Sequence, residues 1–117
     1  MTNNWREFQE NKSVKLKNPP SRGIITVYIH ENGSILVDDF DYSGSFGNDV
    51  AWDLTVAPEY KIRIVQLLGN QSPGQIEDEI DFTLLMAMEL NFGNRSVFKE
   101  WLEAKQIPFN EKFDFWA

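Results

Sequence analysis

The densest group of side chains able to do chemistry is a run of carboxylates. Asp38, Asp39 and Asp41 lie together, and Asp49 and Asp53 follow closely. Carboxylate oxygens suit hard cations such as calcium or magnesium. The spacing does not fit the calcium-binding loop of helix–loop–helix proteins. Counted from Asp38, Ser43 stands where glycine is required and Asp49 where glutamate is expected. Paired carboxylates also serve glycoside hydrolysis, but a chain of 117 residues rarely forms a carbohydrate cleft as well, and no second feature supports one.

Other chemistries find less. His30 is the single histidine and there is no cysteine. General acid–base catalysis by one histidine, without a nucleophile or a converging partner, builds no triad. Gly44 and Gly47 form a Gly-x-x-Gly, but no lysine follows and the flanking acids repel phosphate. Tyr28, Tyr42, Phe46 and Trp52 are types that stack on nucleobases, yet the same acids oppose a nucleic acid. The residue set therefore predicts a non-enzyme with no metal and no cofactor.

Binding is the chemistry that remains. Asp38, Asp39, Asp41, Asp49 and Asp53 are interleaved with Tyr42, Phe46 and Trp52. Aromatic anchors ringed by acids are suited to a basic protein partner. A second acidic patch is Glu77, Asp78, Glu79 and Asp81, which also complements the dipole at the start of a helix.

Charge supports the same direction. The net charge is −7 and is unevenly spread. Residues 1–23 hold five Lys/Arg against two Glu, a net of +3, while residues 24–117 hold six against sixteen acids, a net of −10. An acidic body preceded by a basic arm disfavours non-specific nucleic-acid binding. No apolar run approaches the ~20 residues of a membrane span, and the N-terminus has no signal-peptide core. The expected location is the cytoplasm.

These residues must be held by a small set of elements. The size and a hydrophobic content of 42% predict one α+β domain over 1–117, with residues 1–22 as a basic helix and extended arm. Asn3 or Asn4 caps a short helix carrying Trp5 and Phe8, and 11–22 is an extended connection with room for a short edge strand. Residues 23–30 and 35–37 flank Asn32-Gly33, a strong short-range signal for a hairpin with a type I′ turn. Residues 38–42 either continue the second strand or open a loop; 43–49 is a loop and 50–56 a third strand. Pro58 opens a helix whose face is Tyr60, Ile64, Leu67 and Leu68. The longest helix spans 75–92 with Ile76, Ile80, Leu84, Leu85 and Met88 on one stripe. A last helix starts at Ser96 and stops before Pro108. Residues 109–116 form a final strand or an aromatic tail. The architecture expected is an antiparallel sheet built on the hairpin and packed against two to three C-terminal helices.

Size, acidity, lack of cysteine, the early hairpin (Ile24–Val37), the acidic-aromatic segment (Asp38–Asp53) and the tail Trp101-Leu102-Glu103 … Ile107-Pro108-Phe109 … Phe115-Trp116 together resemble a class of small acidic bacterial immunity proteins. Such proteins neutralise toxins, including those of contact-dependent growth inhibition. The resemblance implies a stoichiometric inhibitor that docks an acidic face on the basic groove of a cognate toxin domain, often a nuclease. The alternative is a non-enzymatic adaptor or regulatory subunit that uses the same face on a basic host-cell protein.

Overall fold

The computed structural model describes residues 12–18, 23–41, 49–69 and 76–116. Five antiparallel strands run in chain order across one sheet: β1 (Ser13–Lys15), β2 (Gly23–Ile29), β3 (Ile35–Asp41), β4 (Asp49–Val56) and β5 (Asn110–Trp116). Between β4 and β5 the described residues make a 3₁₀ turn (Pro58–Tyr60) and three helices: α1 (Lys61–Leu67), α2 (Glu77–Asn91) and α3 (Arg95–Ala104). This is the α+β arrangement expected from strands that cluster first and helices that follow.

Alternation along the strands decides which face is buried. Val14, Ile25, Val27, Ile35, Val37, Leu54 and Val56 point to one face, where they pack with Ile64, Val65, Leu84, Leu85, Met88, Phe98 and Leu102. The helices cover that face. No described helix covers the other one, which carries Ile24, Thr26 and Tyr28 from β2 and Leu36, Asp38 and Phe40 from β3.

The hairpin forms where expected, with a different turn. A type I′ turn needs positive φ at both central residues, but of Asn32 and Gly33 only Gly33 has it, at 89°. The Gly33 N–H donates to the His30 carbonyl (2.9 Å), which closes a turn through Glu31 and Asn32. Gly33 follows in the left-handed region, and the His30 N–H donates to Ser34 O (2.9 Å). This is a type I turn followed by a left-handed glycine, the next commonest hairpin solution. Asn32 uses its side chain instead: Oδ1 accepts from the Ser34 N–H at 3.0 Å. A Cβ on Gly33 would lie 3.2 Å from Pro58 Cβ and 3.4 Å from Lys61 Nζ, so the turn is seated on the start of the helical layer.

Other expectations shift in detail. The short edge strand in 11–22 is β1, the segment 38–41 continues the second strand, and the tail is β5. In α1 the buried residues are Lys61, Ile64 and Val65 rather than Leu67, which is exposed. In α2 the stripe begins at Asp81, not Ile76: Asp81, Leu84, Leu85 and Met88 are buried, and Ile76 is 62% exposed. Asn94, not Ser96, caps α3, its Oδ1 accepting from the Val97 N–H at 3.0 Å. The expected N-terminal helix and the Gly44/Gly47 loop lie outside the described residues.

Candidate functional site

Period-two alternation divides the acidic segment between the two faces of the sheet. Asp39 and Trp52 take the phase of Ile35, Val37 and Leu54 and face the helices, whereas Asp38 and Asp53 take the opposite phase and face the side that no described helix covers. Tyr42 and Phe46 lie outside the described residues, and Asp49 opens β4. The predicted set is therefore two sites back to back.

Inward, the group is an ion-pair network. Asp39 is 4% exposed, and its Oδ2 accepts from Arg95 Nε at 3.2 Å. Arg95 also pairs with Glu111, whose other oxygen accepts from Lys99 Nζ at 2.8 Å. The Arg95 guanidinium carbon lies 4.8 Å above the centre of the Trp52 ring, and Trp52 packs on Phe113 at 4.4 Å. Burial pushes the Asp39 carboxyl up; the Arg95 hydrogen bond and charge pull it down, Asp41 pushes it up, and the net shift is upward. Asp39 and Trp52 thus belong to the join between sheet and α3, Asp39 buried and Trp52 half-buried. No sequence motif singles out Arg95, Lys99 or Glu111, although Arg95 stands three residues before Phe98 on the buried face of α3.

The second acidic patch is divided too. Glu77, Asp78 and Glu79 are exposed at the start of α2, with Asp78 held by Lys12 at 2.7 Å. Asp81 is fully buried and accepts from Lys61 Nζ at 2.7 Å, so it leaves the surface patch. The aspartate takes a core position because a buried lysine neutralises it.

Outward, the register sets Lys15, Thr26, Asp38, Asp53 and Lys112 in one row across all five strands. Two aspartates stand directly opposite one another in the middle, with lysines at the row's ends. Apolar rows flank it: Ile24 and Phe40 on one side, Tyr28 and Leu36 on the other. Lys15, Ile24, Thr26, Tyr28, Asp38 and Phe40 line a groove of about 390 Å³. Directly opposed like charges destabilise an antiparallel pair, and Asp38 shows the effect. Its carboxyl is pushed up to about 6, first by burial, then by the hydrogen bond and charge of Asp53, then by Asp39.

The raised Asp38 carboxyl makes stability depend on pH. The folded state holds the Asp38 proton more tightly than the unfolded chain does. The stability it contributes is fully present below the ordinary value of 3.8 and is lost as pH rises through about 6. Asp38→Asn removes that titration and keeps a donor for Asp53. The variant should be more stable than the native chain near neutrality by about 1 kcal/mol, the shift being discounted for a partly exposed group. The gain should close toward about pH 4. Urea unfolding across this range reads it, and a gain independent of pH would show that ionisation of Asp38 is not its source.

Among the described residues, no group of three or more His, Cys, Asp or Glu converges to hold a metal ion, and no helix is long and apolar enough to cross a membrane. His30 sits exposed at the hairpin turn beside Glu31 and Asn32. Set against protein-family models, curated proteins and solved structures, the chain matches none.

Proposed function

We propose that this protein is an immunity protein: a cytoplasmic, non-catalytic inhibitor that binds a cognate bacterial toxin domain through the uncovered sheet face and occludes its basic groove. The observation that supports this reading is the Asp38–Asp53 pair, set side by side between Thr26 and Lys112 on that face, with Ile24, Phe40, Tyr28 and Leu36 in the flanking rows. Opposed carboxylates are unfavourable in the free protein, and a lysine or arginine brought between them relieves the repulsion. Tyr28, Phe40 and Ile24 supply anchoring area beside that contact. The net charge of −7 assists encounter with a basic partner. A nuclease is the target class favoured, because its substrate groove must attract phosphates.

Co-expression and pull-down with the product of the neighbouring open reading frame test the reading. A stable complex and protection from toxicity are expected; neither appearing would sink it. Within the complex, Asp38→Asn combined with Asp53→Asn should weaken binding tenfold or more, about 1.4 kcal/mol. The loss should shrink between about 0.05 M and about 0.5 M salt as screening suppresses the native attraction. A loss that ignores salt would count against charge pairing at this face.

A further inference from the structure

The sheet ends in two unlike edges. β1 is three residues long, whereas β5 is seven and has no hydrogen-bonded neighbour on its outer side among the described residues. A long edge strand presents unpaired backbone N–H and C=O groups that will pair with another strand unless something blocks them. The sequence Asn110-Glu111-Lys112-Phe113-Asp114-Phe115-Trp116 has no proline, and Phe113 is 47% exposed.

The order of charges in β5 selects an occupant. When a strand pairs antiparallel with its own copy about a two-fold axis normal to the sheet, residue i faces a residue on the same side of the sheet, so the axis passes through a residue position. An axis at Glu111 sets glutamate against glutamate, one at Lys112 sets lysine against lysine, and one at Asp114 sets aspartate against aspartate. Like charges directly opposite are destabilising. An axis at Phe113 sets phenylalanine against phenylalanine and Lys112 against Asp114 of the second copy, twice over. Opposite charges and aromatic pairs across strands are each favourable.

We propose that two copies of this chain pair antiparallel through β5, centred on Phe113, and join their sheets into one continuous ten-stranded sheet. The two uncovered faces then lie on the same side of the assembly.

Cross-linking reads the register directly, since the chain has no cysteine. Residues directly opposite have Cα atoms about 4.5–5.5 Å apart, within disulfide reach, while a partner displaced by two residues falls beyond about 7 Å. Under mild oxidation Phe113→Cys should give a species of twice the 13.6 kDa chain mass at least tenfold faster than Lys112→Cys. Sedimentation of the native chain should show the dimer. Lys112→Asp and Asp114→Lys should each give a monomer, and the two together should restore the dimer. Amides of β5 should gain hydrogen-exchange protection as native protein concentration rises, a measurement that needs no variant. A native chain monomeric up to about 1 mM, an association weaker than ~4 kcal/mol, overturns the proposal. So does equal cross-linking at 112 and 113, a dimer indifferent to either charge reversal, or a folded double variant that stays monomeric.

Discussion

Lys61→Met is expected to lower the free energy of unfolding by about 3–5 kcal/mol, the cost of leaving one member of a buried ion pair uncompensated. Lys61 and Asp81 are 5% and 0% exposed, with Nζ 2.7 Å from Oδ1. The other oxygen, Asp81 Oδ2, has no hydrogen-bond partner and only Lys12 Nζ at 3.5 Å for compensation. Methionine keeps an unbranched stem of similar bulk, so little of the loss is a cavity effect. Against a total stability of about 5–15 kcal/mol for a domain, the change brings the protein close to unfolding. Pairing the substitution with Asp81→Leu should recover most of it, because an apolar pair of similar volume replaces a buried ion pair at little cost. Urea unfolding of the native chain, both single variants and the double variant closes the cycle. A single variant within about 1 kcal/mol of native, near the margin ordinary surface changes show, or a double as unstable as the single, would mean the pair is not buried as described.

That pair also marks where sequence reading stops. Local signals carry far: Asn32-Gly33 between two apolar runs locates the hairpin, Pro58 the entry to the helices, and Phe113/Phe115 the last strand. Lys61 and Asp81 are 20 positions apart and Arg95 and Asp39 are 56 apart. No local pattern announces such pairings, so a charge that belongs to the core reads as a charge on the surface. Asp81 therefore groups by sequence with Glu77, Asp78 and Glu79, although it stands at i−3 and i−4 from Leu84 and Leu85. The acidic segment holds a plainer clue. Ile35 and Val37 fix the inward phase of β3, and Asp39 continues it, so the inward place of Asp39 follows once 38–41 is known to be strand. The open choice between strand and loop over 38–42 conceals it. The type I′ turn fails for a similar reason: Asn32 tolerates positive φ, but its side chain accepts from Ser34 while the backbone stays in the common region.

Arg95→Met should cost about 2–4 kcal/mol, less than Lys61→Met because Lys99 still neutralises Glu111. The guanidinium joins three strands' worth of contacts at one point: Asp39 on β3, the Trp52 face on β4 and Glu111 on β5. The loss should depend on pH. With Arg95 gone, nothing offsets burial and the Asp41 charge at Asp39, so its carboxyl rises further above its ordinary range. A raised carboxyl contributes stability that is present at low pH and lost as pH climbs through the folded value. The variant should therefore fall furthest below native near neutrality and approach it in acid. Binding of the proposed partner should separate this site from the one behind it. Arg95→Met, at temperatures where it stays folded, should bind nearly as well as the native chain, because the uncovered face keeps its row of side chains. Asp38→Asn should do the reverse, gaining stability and losing affinity, the trade expected where a site holds opposed charges for a partner. If Arg95→Met lost binding while fully folded and Asp38→Asn did not, the binding role would have to move to the helix-facing side of the same two strands.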